Sequence, residues 1–324
     1  MTKLLLAELS RLRSRRLTWV ALVLVALALA LLQLSVGISV RPLSAEELAQ
    51  GQVQYQQALR EYEQNKEQYA AEEQTCRDSG GTEEGCDFAP KPEYFSERFV
   101  QPFPEIAHSV LTGSVLLTAL ALLFLGASFI GAEYSSGSLA NWLSFIPERT
   151  KVFASKLGAL VLFAALVTAI TSTVTILSAV LISRAVGAQI SGVGNLFQIG
   201  GRGVVLGCIG AVFGFALALL TRHTIAAAGI VLGYLFVAYV LVILTDAITS
   251  LQVLKPWAPE RNLLAFLDHG HTYQVYTRTV TESGAEGSYI EKSISFAHSA
   301  GYWAVLVAVV VAVTFAVFRR RDVT

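Results

Sequence analysis

The chain has 324 residues, 54% of them hydrophobic, 15% charged, and a formal net charge of zero at pH 7. A soluble domain usually carries about 25% charged residues, and a zero net charge lacks the basic field that nucleic-acid binding needs. The apolar residues come in long runs with the charges gathered between them, so the composition excludes an ordinary soluble domain and predicts an all-α polytopic membrane protein.

The first 16 residues read as an amphipathic interfacial helix, with Leu5, Leu9 and Leu12 on one side and Arg11, Arg13, Arg15 and Arg16 at its end. The apolar run at 17–40 is longer than the roughly 7–15 residues of a signal-peptide core, so it is expected to stay as an anchor. The segment 41–108 is acidic and helical in pattern. Ser44 and Glu47 have the spacing of a capping box. Leu48, Tyr55, Leu59, Tyr62 and Tyr69 then form a heptad-like stripe expected to pack on another helix, or to form a plain amphipathic hairpin. Cys76 and Cys86 lie in the Gly- and Asp-rich turn region of this segment and are expected to form a disulfide; Cys208, inside a span, reads as a small packing residue.

Five further runs are long enough to cross a bilayer, near 109–130, 157–183, 203–220, 225–245 and 300–318, making six with the first. Thr168, Thr171, Thr175 and Ser178 recur at helical spacing in the third. They can bond to a neighbouring helix or line a pathway. Gly203, Gly207, Gly210 and Gly214 in the fourth form small-xxx-small pairs for close backbone approach, within the chain or across a dimer. Of the 24 Lys and Arg, 12 fall in the N-terminus, the loop 132–156, the link Thr221–Thr224 and the tail after Phe318. The positive-inside rule therefore places both termini in the cytoplasm of a multi-pass cell-membrane protein, with 41–108 and the loop 246–299 on the other side.

The chemistry of a self-sufficient machine is missing. There is no P-loop sequence, no H-E-x-x-H and no G-x-S-x-G. No ionisable residue falls in the middle of a span, where proton relays and intramembrane catalysis would need one. Asp268, His269, His271 and His298 gather in or near the second long loop, but their spacing suits a metal poorly, and solvated histidines are the expectation. No catalytic, cofactor or metal site is therefore assigned.

The segment 131–157 is the most specific. Leu139, Trp142, Leu143 and Ile146 fall at i, i+3, i+4, i+7 and give a short helix one apolar face, with Ser135 or Ser136 as its cap and Pro147 as its end. An apolar face outside the membrane needs a lipid surface or a partner's groove. This segment resembles the type-2 ABC exporter permeases: Glu133, Tyr134, Gly137 and Leu139 in EYSSGSL match E-x-x-x-G-[ST]-L, followed by Pro147, Glu148 and Arg149, then Lys156. The amphipathic N-terminus and the basic stop after Phe318 are similar to the family's as well, whereas 41–108 departs from its minimal pattern. The resemblance implies a permease subunit that is not itself an enzyme. Two ABC ATPase subunits, which hold ATP and Mg, and a second permease, identical or related, would complete it. The loop 132–156 would couple it to the ATPase: Glu133 would position the loop by charge, and Leu139, Trp142 and Leu143 would be the buried anchors. An amphipathic drug, peptide antibiotic or lipid-like substrate is the expectation. The competing reading is a passive channel, or a scaffold of cell-envelope machinery, without an ATPase.

Overall fold

The computed structural model describes residues 2–40, 43–79, 82, 85–96, 102–145, 148–281 and 284–320. Six helices are long and apolar enough to span a bilayer. Helix α1 (Thr2–Ser14) leads into the first span, α2 (Arg16–Val40). The others are α6 (Phe103–Ser135), α8 (Arg149–Ala185), α9 (Val193–Thr221), α10 (Thr224–Ala247) and α12 (Phe296–Arg320). Each contains the run expected at its place, and α6, α8 and α9 continue well beyond it.

The spans alternate in direction. One face of the bundle carries α1, the end of α6, the start of α8, the α9–α10 turn and the end of α12; it is called the terminal face here. Arg149 Nη1 confirms the grouping by donating to the carbonyls of Phe318 and Arg319, at 3.3 and 3.1 Å. Those carbonyls are among the four that a helix C-terminus leaves unpaired.

α6 and α9 form the centre and bury most of their length. Lipid tails are as apolar as leucine, so packing, not the hydrophobic effect, must hold spans together, and small residues allow that packing. Gly203, Gly207, Gly210 and Gly214 of α9 serve this purpose within the chain. Gly203 faces Val115, Gly207 faces Thr168, and Gly210 and Gly214 lie on the carbonyls of Ala119 and Leu123. From α6, Gly126 lies on the carbonyl of Ala211. α2, α10 and α12 expose most of their apolar side chains, as lipid-facing spans do.

On the far face, α3 (Ala45–Gln64) begins at the expected capping box: Ser44 N donates to Glu47 Oε2 at 2.8 Å, and Glu47 N to Ser44 Oγ at 3.2 Å. The helix breaks at Asn65 and resumes as α4 (Lys66–Asp78), so the aromatic stripe runs over two helices instead of along one coiled-coil seam. Tyr62 stacks on Tyr69 across the break at 5.1 Å, and Tyr55 meets Phe95 of the short α5 (Glu93–Ser96) at 5.8 Å. Cys76 and Cys86 are disulfide-bonded. Cys208 is half-buried, its thiol against the Val161 carbonyl.

The segment after α10 is more ordered than a plain loop. It forms a 3-10 helix (Thr249–Trp257), α11 (Pro259–Leu267) and a hairpin of β1 (Gly270–Thr281) with β2 (Gly284–Ser295), in a register from Gly270 opposite Ser295 to Thr281 opposite Gly284. This hairpin adds a strand pair to an otherwise all-α protein. Two of the histidines here also make ring contacts, although His269 stays exposed. His269 stacks on Phe296 at 4.7 Å and His298 meets Trp257 at 5.3 Å. Asp268 Oδ1 lies 2.8 Å from Nε2 of His108 on α6, which ties the far-face unit to the central helix. Among the described residues no cluster has the composition of a metal site.

A Cβ at Gly214 would meet the Leu123 backbone, which cannot swing aside as a side chain can. Gly214→Val is therefore expected to abolish the monodisperse peak in detergent size-exclusion chromatography. Gly201→Ala, at a position with open space, is expected to leave it intact.

Candidate functional site

Three charged side chains meet under the terminal face. Glu8 and Lys156 are 0% and 1% exposed, and Glu133 is 9% exposed. Lys156 Nζ lies 3.1 Å from both oxygens of Glu8, and 2.8 and 2.7 Å from Oε1 and Oε2 of Glu133. The ammonium thus holds two carboxylates on two other helices. Arg11, more exposed, reaches Glu8 at 3.4 Å and Glu133 at 3.9 Å and balances the second negative charge.

Local structure explains the meeting. The loop expected at 132–156 is shorter than that: α6 continues through Glu133 and Tyr134, and α8 already begins at Arg149. Glu133 is consequently in the last turn of one span and Lys156 two turns into the next, on rigid elements side by side. Gly137 separates the two pieces of chain at φ +68° with nothing near its missing side chain, so backbone conformation alone favours glycine there. Glu8 comes from α1, on the face shared by Leu5, Leu9 and Leu12, and so is pressed inward with them.

The same cluster anchors α7 (Ser138–Phe145), the short amphipathic helix expected from the sequence. The Arg11 guanidinium sits 4.1 Å over the Trp142 ring. Leu139 is 1% exposed and packs into the core with Leu12, Phe129, Val152 and Phe153. This revises its expected role: Leu139 anchors α7 to its own chain and is not available as a surface anchor. Trp142 is half-buried beside it. The side chain of Leu143, and Ile146 and Pro147, lie outside the described residues. Among the described side chains of α7, the exposed apolar group is Phe145, 83% exposed. Tyr134 faces the Arg222 guanidinium of the α9–α10 turn at 6.0 Å. Arg15 donates to the Ser128 carbonyl at 3.1 Å; burial lowers its pKa and the Glu133 charge opposes this.

The expected coupling residues Glu133, Tyr134, Gly137, Leu139, Trp142, Arg149 and Lys156 therefore share the terminal face, and most of them turn inward. A scan of family models matches residues 3–323 to the ABC-2 family transporter proteins. The chain belongs to that family. Neither curated proteins nor solved structures give a match. The match spans α1 through α12, so the far-face elements and the terminal-face cluster both lie within the ABC-2 transporter domain.

The hydroxyl stripe of this ABC-2 chain divides by depth. Thr168 is buried against Gly207 and donates to the Ala164 carbonyl at 2.9 Å, which is a packing role. Thr175 pairs with Ser114 of α6 at 3.0 Å, and Thr118 donates to Thr171 at 3.4 Å. Thr171, Thr175 and Ser178 also edge an apolar groove of 690 Å³ between α2 and α8, into which α2 contributes Gln33. Both functions considered for the stripe are thus compatible with its geometry.

Sequence reasoning missed Glu8. The signal was present, since Glu8 falls at i+3 from Leu5 and i−4 from Leu12, on the apolar face of a helix whose other charges are basic. Removing one partner of a buried ion cluster leaves a charge uncompensated and costs about 3–5 kcal/mol. Lys156→Met is accordingly expected to lower the melting temperature in detergent sharply. Glu8→Gln combined with Glu133→Gln and Lys156→Met should recover part of that loss, because the one charge then left without its partners, that of Arg11, is open to solvent.

Proposed function

We propose that this membrane permease of an ABC transporter is an ATP-driven exporter, with both termini in the cytoplasm and two ABC ATPase subunits bound at the terminal face. The observation that carries the reading is α7. It is a short helix outside the bundle, fixed from beneath by Leu139, Trp142 and the Glu8–Lys156–Glu133 cluster, with Phe145 turned outward. A helix held so firmly passes on a push instead of absorbing it. ATP and Mg belong to the partner, whose closure would move α7; the linked α1, α6 and α8 would follow. A second permease, identical or related, would complete the transporter. Its binding would cover part of the exposed faces of α2, α10 and α12. An amphipathic substrate suits the apolar groove between α2 and α8, whose few polar groups are hydroxyls and an amide.

Burial of one aromatic side chain contributes roughly 1.5–3 kcal/mol. Phe145→Asp is expected to weaken retention of a co-purifying P-loop ATPase by about tenfold or more, with the permease still inserted and monodisperse. Unchanged ATPase retention and transport would remove α7 from the coupling role. A clean preparation of the permease alone, from cells that express candidate ATPases, would favour the channel or scaffold.

The orientation has its own test. An oxidising compartment suits the Cys76–Cys86 bridge. In intact cells a membrane-impermeant maleimide should label these two thiols only after an impermeant reductant is added. Labelling only in lysed cells would invert the topology.

A further inference from the structure

The far face holds an open polar pocket of 560 Å³ between the 3-10 helix, α11 and the hairpin. Its walls include Gln252, Lys255, Arg261, Tyr273 and Glu291. The volume lies within the roughly 300–1,000 Å³ of small-ligand sites. None of these residues takes part in the terminal-face cluster.

We propose that this pocket binds the phosphate-bearing headgroup of a membrane lipid. Three observations support the assignment. The first is charge. Among the described lining residues, two cations, Lys255 and Arg261, share the pocket with one acid, Glu291. Lys255 is 5% exposed and donates to the Gln274 carbonyl at 2.9 Å, so its charge is held in place. The Arg261 guanidinium lies over the Tyr273 ring at 5.3 Å, which fixes the plane of a fork suited to phosphate oxygens.

The second observation is an unmet acceptor. Gln252 is 5% exposed, and its side-chain oxygen has no hydrogen-bond partner among the described residues. A shielded carbonyl oxygen without a donor is costly. A phosphodiester headgroup with a hydroxyl or ammonium substituent would offer a donor to Gln252 or Glu291 and an anion to Lys255 and Arg261.

The third observation is position. The 3-10 helix continues directly from the end of α10, where a span leaves the hydrocarbon. With three residues per turn, side chains three apart stack on one side. Gln252 and Lys255 stack toward the pocket and are buried. Leu254 and Trp257 stack on another side and are 47% and 61% exposed, with Val253 beside them at 71%. An element with tryptophan and aliphatic groups outward at a span's end belongs at the headgroup level. Its apolar side would rest among acyl chains while its polar side opens into the pocket. A phospholipid has the matching division. This inference does not depend on the ATPase reading.

The test is native mass spectrometry of the full-length protein, delipidated in detergent and then given one probe at a time. Phosphatidylglycerol should remain bound, and diacylglycerol, which has no phosphate, should not. Arg261→Gln and Gln252→Leu should each lower phosphatidylglycerol occupancy at least fivefold, while Arg60→Gln on the distant α3 leaves it unchanged. Should Arg261→Gln aggregate, Gln252→Glu, which sets a negative charge against the phosphate, should produce the same loss. Equal occupancy in wild type and the folded pocket variants would overturn the proposal. So would soluble glycerol 3-phosphate binding as tightly as the lipid, since the occupant would then be a free phosphate ester.

Discussion

One ammonium group, that of Lys156, organises the terminal face. A lysine 1% exposed, at a place where a helix enters the membrane, is tolerable only because two carboxylates surround it within about 3 Å. Those carboxylates belong to α1 and α6, and Lys156 to α8. The pairing therefore specifies where α1 lies as well as neutralising charge. An amphipathic helix held on a membrane surface by Leu5, Leu9 and Leu12 alone could slide and turn, because the hydrophobic effect has no direction. The Glu8 carboxylate gives it a single register. With α1 in place, Arg11 covers Trp142 and Leu12 packs near Leu139, so α7 is positioned by the same contacts.

The rest of the bundle follows a different logic. Inside the membrane, α6 and α9 approach by the absence of side chains, with Gly126 of one helix and Gly203, Gly207, Gly210 and Gly214 of the other facing backbone or side chains of the facing spans. Buried hydroxyl pairs such as Ser114 with Thr175 add short directional bonds between α6 and α8. This yields a stiff centre of α6, α8 and α9, surrounded by α2, α10 and α12, whose apolar groups face outward. Rigidity at the centre matters for a family member that must move something. A motion applied at α7, as proposed above, would reach α6 and α8 through charges and close packing.

The two faces are correspondingly different. The terminal face concentrates Lys and Arg and buries Glu8 and Glu133 against Lys156. The far face carries the long insertions, stapled by the Cys76–Cys86 bridge and by the His108–Asp268 contact. That contact joins the α11–hairpin unit to the same α6 that ends in Glu133. One central helix thus has a polar attachment near each end.

The six spans, the amphipathic N-terminal helix, the α7 helix, the capping box at Ser44 and the disulfide were all legible in the sequence. They depend on local or one-dimensional properties: hydropathy over about 20 residues, 3.6-residue periodicity, and two cysteines ten residues apart. The β1–β2 hairpin was not, although β1 is rich in the strand formers Thr, Tyr and Val, because the side chains the hairpin sends to a core, Tyr273, Val275 and Ile294, are too few to make an apolar run. The fate of Leu139 was not either, since periodicity reveals that a helix has an apolar face but not what covers it; the covering groups, Leu12 and Phe153, come from other elements. Glu8 shows the division most clearly. Its place on the apolar face of α1 was written in the spacing, yet only the tertiary structure brings Lys156, 148 residues away, to meet it. Sequence alone determined which segments lie in the membrane, because the bilayer acts on each segment separately. Which charges find each other was decided by packing, because that depends on every helix at once.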